Sequence, residues 1–497
     1  MDNNEEKLMD EAEYGEQVRI RREKLKNLVA EGKNPFARTK FERTADSAAI
    51  TADFAAFEGK RVAIAGRVLS RRMMGKASFA HILDAKGQIQ IYVKIDNVGA
   101  DAYEEWKKAD IGDIFGVEGT VFMTHKGEIS VSAEKMVLLT KSLLPLPEKW
   151  HGLKDNDLRY RQRYVDLIAN PSVKDAFVMR SRIIKAIRDL LDSKGFVEVE
   201  TPVLNTIAGG ANARPFITHH NTLDLDMYMR IAPELYLKRL IVGGFDKVYE
   251  IGKMFRNEGM DVKHNPEFTM MELYEAYADY NDMMDITEEI YAAALKAAGK
   301  GNKITYQGTE IDLSFPWQRL TMLEAIKRYT GVDYDKMTAE EALKAALELG
   351  VEIDDKKKAW GNIVYATFDQ KVESQLVGPV FITDYPVEES PLTKRKNDDP
   401  RLTYRFEFFI YAREMGNAYS ELNDPVDQRE RFEKQAALRK KGDDEAQMTD
   451  DDFVTALEYG LPPTGGLGVG IDRLIMLLTD SASIRDVILF PTMKPKK

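Results

Sequence analysis

The chain contains, in order, the sequences Phe255-Arg256-Asn257-Glu258 and His264-Asn265-Pro266-Glu267-Phe268-Thr269. Residues 248–255 and 268–277 flank the loop between them and are rich in apolar residues, so we predict that they form a β-hairpin. Because side chains alternate along a strand, Arg256 is expected to project from the same face as Glu272 and Tyr274. An amphipathic hairpin with solvated charges is the simpler alternative, but the neighbouring Met and Phe residues indicate burial. A guanidinium in such surroundings suits a phosphate or carboxylate ligand.

This hairpin resembles motif 2 of the class II aminoacyl-tRNA synthetases, and the chain from about residue 55 to its C-terminus resembles the lysine-specific branch of that family. The resemblance implies an α+β fold, with an N-terminal OB-fold β-barrel and a catalytic domain in which helices flank an antiparallel sheet. It implies an enzyme that uses ATP to activate lysine as lysyl-adenylate and then transfers lysine to the 3′ end of tRNA(Lys). It further implies Mg²⁺ as cofactor and a homodimer as the functional assembly.

The composition indicates a globular protein with more than one domain. A chain of 497 residues is too long for one core, and 44% hydrophobic with 31% charged residues is typical of globular proteins. No segment has the length and hydrophobicity of a membrane span, and the acidic N-terminus is unlike a signal peptide. The absence of cysteine excludes disulfides and thiolate metal sites and favours a cytoplasmic location. A net charge of -11 means that any RNA contact must use local basic patches.

The order of motifs predicts four regions. They are an N-terminal helical extension (1–54), an OB-fold anticodon-binding domain (55–143), a linker (144–170) and a catalytic domain (171–497) with an insertion around 296–400. Two prolines, Pro145 and Pro147, interrupt the periodicity at the start of the linker. In the extension, residues 18–28 have the pattern of a basic helix, whose charges are either solvated or in contact with RNA.

Residues 60–140 have the pattern of a small β-barrel. We predict five short strands, at 62–66, 79–83, 89–93, 114–122 and 129–132, and this number suits an OB-fold. Basic residues lie beside Phe79, and such barrels bind single-stranded bases with a basic groove and an aromatic ring; these residues are Arg67, Arg71, Arg72 and Lys76. A place for Phe79 in the barrel core is the alternative. The resemblance implies that Phe79 stacks on an anticodon uridine and that Arg71, Gln90 and Glu128 contribute to anticodon recognition.

Residues 177–200 have the pattern of an amphipathic helix followed by a strand. Phe177, Ile184, Ile187 and Leu191 recur at helical spacing, Gly195 is a natural helix end, and residues 196–200 are predicted to be extended. A plain surface helix has a similar pattern. The segment also resembles motif 1 of the family, which implies a dimer interface.

The glycine-rich sequence Gly465-Gly466-Leu467-Gly468-Val469-Gly470 is predicted to be a strand that leads into a helix at 471–479. A dinucleotide-binding loop is excluded by context, because such a loop opens a βαβ unit and this chain ends soon afterwards. The sequence also lacks a G-x-x-x-x-G-K-[ST] motif. Glycines allow a ligand to approach the backbone, and Arg473 lies on the first helical turn. The segment resembles motif 3, which implies that Arg473 stacks on adenine opposite Phe268.

Residues 404–424 place carboxylates in apolar strands. Glu407 lies within the apolar segment 405–410, and Glu414 follows the next turn. Buried carboxylates need a partner or a cation, and the resemblance implies that these two hold Mg²⁺ at the ATP phosphates. If residues 417–421 are extended, Asn417, Tyr419 and Glu421 share one face.

The resemblance also implies the roles of the remaining site residues. The lysine ε-ammonium is expected to contact Glu272, Tyr274 and Glu421, and the α-amino and carboxylate groups to contact Gly210, Glu234, Arg256 and Asn417, with Tyr419 in the same pocket. ATP is expected to contact Arg256, Glu258, His264, Asn265, Phe268, Glu407 and Arg473. Arg256, His264 and Arg473 are the expected catalytic residues, because charge on the phosphates needs cations more than a proton acceptor.

Two alternative functions remain open at this stage. The aspartyl and asparaginyl branch has the same fold, but the carboxylates Glu272 and Glu421 suit an ammonium better than the neutral or anionic side chains of those substrates. A non-catalytic RNA-binding paralogue would be indicated by loss of the residues implied for catalysis. Arg256, Glu407, Glu414 and Arg473 are all present.

Overall fold

The chain divides into two compact units, residues 1–154 and 155–497. The structure, a computed structural model, describes residues 15–146, 153, 155–440 and 448–495. The acidic N-terminal residues 1–14 and part of the predicted linker, residues 147–152 and 154, lie outside the described residues. None of the helices in the described ranges is long and apolar enough to cross a membrane.

The first unit contains a closed five-stranded barrel. Its strands are β1 (Arg61–Met74), β2 (Ala77–Leu83), β3 (Gln88–Lys94), β4 (Ile114–Met123) and β5 (Ile129–Thr140). Its helices are α1 (Glu16–Ala30), α2 (Ser47–Ala52), α3 (Phe54–Phe57), α4 (Ile95–Val98) and α5 (Ala100–Lys108). The strands pair in the order β1-β2-β3-β5-β4, and β1 closes the barrel against β4. The predicted barrel is therefore confirmed, although β1 and β5 are longer than predicted.

Alternation along β2 decides which side chains fill the barrel. Ser78, Ala80 and Ile82 are buried, whereas Phe79 is only partly buried and lies on the other face. The ring of Phe79 packs against Tyr92 of β3, with 4.8 Å between ring centroids. Phe79 is therefore not a core residue of the barrel.

Helix α1 is attached to the barrel by its basic residues. Arg21 is buried and donates hydrogen bonds to the carbonyls of Ser142 and Leu144, each at 3.2 Å. Lys24 forms a 2.7 Å ion pair with Asp110. Two of the cations predicted to be solvated or to contact RNA are thus engaged within the unit itself.

The second unit is built on an eight-stranded sheet. Its strands, with those of two small sheets, are β6 (Val197–Glu198), β7 (Leu204–Asn205), β8 (Ile217–His220), β9 (Leu225–Met229), β10 (Lys247–Phe255), β11 (Glu267–Ala276), β12 (Lys303–Tyr306), β13 (Thr309–Asp312), β14 (Gln318–Thr321), β15 (Val380–Thr383), β16 (Arg405–Phe409), β17 (Glu414–Ser420) and β18 (Thr464–Gly470). The large sheet has the order β14-β15-β16-β17-β18-β11-β10-β6. Its central strands pair antiparallel, and only the outer pairs β14–β15 and β6–β10 are parallel. The predicted antiparallel catalytic sheet is confirmed.

Helices flank this sheet, as predicted. They are α6 (Asn156–Arg161), α7 (Arg163–Ala169), α8 (Val173–Ser193), α9 (Glu234–Val242), α10 (Tyr280–Ala297), α11 (Met322–Thr330), α12 (Ala339–Glu348), α13 (Trp360–Lys371), α14 (Pro425–Lys440), α15 (Asp451–Gly460), α16 (Ile471–Thr479) and α17 (Ile484–Val487). Helix α8 ends before Gly195, which has a φ of +83°, a left-handed conformation that glycine adopts without strain. The strand predicted after it is shorter than expected, because only Val197 and Glu198 pair with β10.

Two predicted segments differ from the structure. The second half of the predicted linker forms α6 and α7, and Arg163 of α7 is fully buried, bound to Asp166 and to carbonyls of residues 485–489. The segment predicted as an insertion, 296–400, contributes β14 and β15 to the large sheet. Both differences arise from pairing with distant parts of the chain, which local sequence patterns do not reveal.

The apolar face of α8 is used inside the protomer. Ile183, Ile187 and Leu191 are fully buried in the main core, and Ile184 lies at its edge. Ile187 and Leu191 therefore pack against the protomer's own sheet and helices, and the homodimer implied by the motif 1 resemblance stays a prediction.

Candidate active site

A cavity of about 260 Å³ opens on one face of the large sheet. Strands β11, β16, β17 and β18, the start of α9 and the loop at 210–212 line it. The cavity brings together most of the site residues predicted from the sequence, namely Gly210, Glu234, Arg256, Glu272, Tyr274, Glu407, Glu414, Asn417 and Tyr419. These residues span more than 200 positions, so the sheet is what assembles them.

A second recess of about 130 Å³ adjoins this cavity and shares Arg256, Met270, Glu414 and Gly468 with it. The remaining predicted ATP-site residues line this recess, namely Glu258, His264, Asn265, Phe268 and Arg473. The cavity and the recess therefore form one continuous site with Arg256 between them.

Strands β10 and β11 form an antiparallel hairpin, as predicted, and in its register Glu250 lies opposite Glu272 and Met254 opposite Phe268. Arg256 follows the end of β10, and its guanidinium lies 5.2 Å from the centroid of the Phe268 ring. Its Nε atom is buried and donates no hydrogen bond within the described part of the chain. Burial lowers the pKa of Arg256, although the guanidinium remains a cation. A buried donor without a partner indicates a place for an anionic group of a ligand.

Arg473 lies on the first turn of α16, as predicted, and faces the recess. It donates a hydrogen bond to the carbonyl of Glu414, and its Nη1 atom lies 3.2 Å from the Glu414 carboxylate. Its Nη2 atom lies 3.4 Å from Nε2 of His264, whose Nδ1 pairs with Asp261 at 2.8 Å. These contacts hold the side chains of Arg473 and His264 in place at the recess.

The end of the cavity opposite the recess is strongly acidic. Glu234, Glu272 and Glu421 are all buried there, and Glu272 is only 5% exposed. The Tyr274 hydroxyl donates to Glu272 at 3.1 Å, and the Tyr419 hydroxyl donates to Glu234 at 3.1 Å. Burial, and next the charge of Glu234, raise the pKa of Glu272 to about 8. A cationic ligand group would relieve this accumulation of negative charge.

Glu421 does not line the cavity, unlike the other predicted lysine-binding residues. It lies behind Gly466, where an added Cβ atom would come within 2.1 Å of Glu421 Oε1 and 2.5 Å of the Tyr274 ring. Only glycine at position 466 allows this approach of the carboxylate to the cavity wall. The Glu421 carboxylate instead forms an ion pair with Lys238 of α9.

Glu407 and Glu414 lie on the neighbouring strands β16 and β17 and line the same cavity. Glu407 is buried and accepts hydrogen bonds from Arg405 at 2.6 Å and from Tyr385 at 2.9 Å. Burial raises the pKa of Glu407 to about 7 against the opposing effect of Arg405. Within the described ranges, no cluster of three or more His, Asp or Glu side chains could hold a metal ion. Glu407 and Glu414 nevertheless fit Mg²⁺ beside the recess, because Mg²⁺ prefers oxygen ligands. It is usually held by only one or two carboxylates and keeps several waters.

The predicted anticodon residues lie on the barrel, but not all of them are free. Gln90 donates to Glu128 at 2.6 Å, and His81, which sequence reasoning missed, lies 2.7 Å from the same carboxylate. Arg71 donates to the backbone carbonyl of Trp106 and lies 5.4 Å from its ring centroid. Phe79 thus lies on an outward face of the barrel, whereas Arg71 is held against α5.

Sequence comparisons agree with this geometry. The family model of the tRNA synthetases class II (D, K and N) matches residues 155–494. The family model of the OB-fold nucleic acid binding domain matches residues 62–139. The lysine–tRNA ligase of Pelotomaculum thermopropionicum is 60% identical over 489 residues, which cover 98% of this chain and 96% of that protein. The chain belongs to the class II lysine–tRNA ligase family.

Other relatives have the same extent of similarity. The lysine–tRNA ligase of Thermoanaerobacter pseudethanolicus is 60% identical over 97% of both chains. That of Carboxydothermus hydrogenoformans is 59% identical over 98% of this chain and the whole of its own length. Membership of this family agrees with the barrel and the catalytic sheet and with the residues quoted for motifs 2 and 3.

Lys238 is the main site residue that sequence reasoning missed. It is fully buried, and its Nζ atom lies 2.6 Å from Oε1 of Glu234 in addition to its ion pair with Glu421. The signal was a lysine four residues after Glu234 in a helix that is mostly apolar apart from these two residues, Tyr236 and Arg239; this spacing brings the Lys238 and Glu234 side chains together. Its pairing with Glu421, 183 positions away, has no local signal.

Proposed function

We propose that this chain forms lysyl-adenylate from lysine and ATP and then transfers lysine to the 3′ end of tRNA(Lys). The observation that carries the proposal is the acidic end of the cavity, where three buried carboxylates face one internal cation, Lys238. A doubly cationic amino acid supplies the positive charge that this end lacks. Asn417 and Gly210, which line the same cavity, are proposed to contact the α-amino and carboxylate groups.

In the first step, the lysine carboxylate attacks the α-phosphate of ATP in line, and pyrophosphate leaves. Arg256 is proposed to hold both the attacking carboxylate and the α-phosphate, because its unpaired Nε lies between the cavity and the recess. Holding the carboxylate and the α-phosphate in the reactive orientation lowers the entropic part of the reaction barrier. No side chain needs to remove a proton, because the attacking carboxylate is already ionised.

The recess is proposed to bind ATP. Phe268 and Arg473 both line it, which suits an adenine between an aromatic ring and a guanidinium plane. Glu258 and Asn265 lie at its wall, and His264 is positioned towards the phosphates by Asp261. Glu407 and Glu414 would hold Mg²⁺, which when bound neutralises charge on the phosphates.

The barrel is proposed to bind the anticodon, with Phe79 as the stacking ring and with Gln90 and Glu128 at the base edges. The position of Phe79 on the outward face of β2, where it is only partly buried, and the hydrogen bond between Gln90 and Glu128 on the same barrel support this role. A cytoplasmic location is part of the same proposal, since ATP and tRNA are the substrates.

We also infer that the chain is a homodimer. The segment after α8 exposes several large apolar side chains, which are Val197, Val203, Leu204, Ile217 and Leu225. Exposed apolar patches of this kind mark interaction surfaces. Sedimentation at micromolar concentration is expected to give a dimer, and Ile217→Lys is expected to shift it towards monomer. An active monomer in the unmodified protein would exclude this assembly.

The test of the proposed function is to identify the product. The chain is incubated with ATP, all twenty amino acids and total tRNA, and the esterified amino acid and its tRNA are identified by mass spectrometry. Lysine on tRNA(Lys) is the expected product. Aspartate or asparagine on its cognate tRNA would support the alternative branch, and no product would support a non-catalytic RNA-binding protein.

A further inference from the structure

Lys238 occupies an unusual place beside the cavity. It is 0% exposed, it does not line the cavity, and its ammonium is shared between Glu234 and Glu421. The aromatic rings of Tyr274, Tyr419 and Phe453 surround it at about 6 Å from their centroids. A substrate cannot reach this ammonium, so Lys238 acts on a ligand only through the carboxylates.

The charges of the acidic end balance only when Lys238 is included. When all three are ionised, as a bound dication favours, Glu234, Glu272 and Glu421 carry three negative charges, and Lys238 carries one positive charge. Bound lysine adds two ammonium groups, while its carboxylate is matched by Arg256. Without Lys238, one of the three carboxylates would have to take up a proton even in the substrate complex, because an unpaired buried charge is costly.

We propose that Lys238 is a positioning residue for amino-acid recognition, which holds Glu234 and Glu421 ionised and in place for the two ammonium groups of lysine. The proposal rests on the proposed function and adds a residue to it. Among the residues that the structure describes, the charged groups that act on Lys238 are acidic: Glu234 on its own helix, Glu421 after β17 and Glu272 on β11. The titratable rings of Tyr274 and Tyr419 also face it. The nearest cation on the helix, Arg239, is paired with Asp450 and Asp452 of the α15 segment.

The protonation states agree with this role. Burial lowers the pKa of Lys238, but the charges of Glu234 and Glu421 outweigh burial and raise the pKa above its usual value. Burial raises the pKa of Glu421, and Lys238 is the main influence that opposes this. Removing the ammonium therefore takes away the main influence that keeps the pKa of Glu421 from rising further, and a higher pKa lowers the ionised fraction of this carboxylate at neutral pH.

The experiment compares Lys238→Met with the wild-type chain in lysine-dependent ATP–pyrophosphate exchange. The Met variant is expected to raise KM for lysine roughly tenfold or more near pH 7, while KM for ATP changes less than about twofold because the recess is intact. The ratio of variant to wild-type KM for lysine is expected to fall as pH is raised, since a higher pH favours the ionised form of the Glu421 carboxylate. Lys327→Met, which removes an exposed ion pair with Asp333, is the matched control and is expected to change neither KM.

A second variant separates positioning from a purely structural role. Lys238→Met combined with Glu421→Gln removes the uncompensated carboxylate, so it is expected to fold even if the single variant does not. This double variant is expected to keep the raised KM for lysine. That KM is not expected to fall at high pH, because glutamine at position 421 cannot ionise. Three results would each overturn the proposal. The first is an unchanged KM for lysine in Lys238→Met, and the second is a rise of both KM values in that variant at every pH. The third is a wild-type KM for lysine in the double variant. Failure of the wild-type chain to catalyse lysine-dependent exchange would overturn the proposed function instead.

Discussion

Arg256 lies with its guanidinium 5.2 Å from the centroid of the Phe268 ring, and its buried Nε atom donates no hydrogen bond within the described part of the chain. The guanidinium lies over the ring, and its unpaired donor is available to a ligand. This pair joins the two halves of the site, because Arg256 lines both the cavity and the recess.

Arg256→Lys is expected to reduce kcat for lysyl-adenylate formation about 100-fold or more, the scale for losing one positioned donor to a developing charge. A lysine keeps the charge but lacks the planar fork. Because the buried Nε has no hydrogen-bond partner among the described residues, the melting temperature is expected to stay the same or rise. Exchange kinetics and thermal melting check both statements, and near-normal kcat with a lowered melting temperature would show that Arg256 is structural.

Glu414→Gln is expected to reduce adenylate formation by orders of magnitude and to raise the Mg²⁺ concentration needed for half-maximal rate. Glu414 is 38% exposed at its side chain, so the fold is expected to be retained. Glu407→Gln is a less clean variant, because it leaves the Arg405 cation without its carboxylate and is expected to destabilise the protein by about 3–5 kcal/mol. A Mg²⁺ titration of exchange activity tests this, and an unchanged Mg²⁺ requirement in Glu414→Gln would remove Glu414 from the metal site.

The raised pKa of Glu272 predicts a pH dependence of stability. The folded state holds a proton on Glu272 up to about pH 8, whereas the unfolded state loses it near the usual value of 4.5. The stability that this proton confers is present below the unfolded pKa and is lost as pH rises through the folded pKa, with a slope of at most about 1.4 kcal/mol per pH unit. Glu272→Gln should therefore gain stability relative to wild type from pH 5 to 8, measured by urea unfolding at each pH.

Saturating lysine provides the control for this measurement. An ammonium beside Glu272 favours its ionised form, so bound lysine is expected to reduce the slope in the wild-type chain. The same pH slope in Glu272→Gln and wild type would show that Glu272 is not the titrating group.

Phe79→Ala is expected to remove a stacking contact of about 1–3 kcal/mol. The variant should require roughly 5- to 150-fold more tRNA in charging, while pyrophosphate exchange, which needs no tRNA, stays unchanged. Phe115→Ala is the matched control, because Phe115 is buried in the barrel core and its loss should cost about 3–5 kcal/mol of stability. If Phe79→Ala lowers the melting temperature as Phe115→Ala does, the ring supports the fold rather than a base.

Sequence patterns predicted the parts of the site that are continuous in the chain. The hairpin carrying Arg256 and Phe268 and the strand–helix junction carrying Arg473 both have the predicted structure. In each case, local periodicity and glycine content determine the structure over fewer than 35 residues, and the family resemblance supplied the roles.

The contacts that depend on distant segments could not be predicted. The partner of Glu421 is Lys238, and Glu407 accepts a hydrogen bond from Tyr385, which follows the neighbouring strand β15; neither contact has a local signal. The pairing of β14 and β15 with the large sheet and the burial of Ile187 in the protomer core are likewise decided by tertiary packing. Isolated short strands and amphipathic helices are compatible with several partners until the whole sheet forms.

The most direct test of the account is ATP–pyrophosphate exchange measured with each of the twenty amino acids in turn, for the wild-type chain and for Glu272→Gln. The acidic end of the cavity predicts strong exchange with lysine alone, and a KM for lysine raised by roughly 30-fold or more in Glu272→Gln, the equivalent of about 2 kcal/mol for truncating one partner of a buried charge contact. Exchange driven by aspartate or asparagine, or an unchanged KM for lysine in Glu272→Gln, would contradict the account.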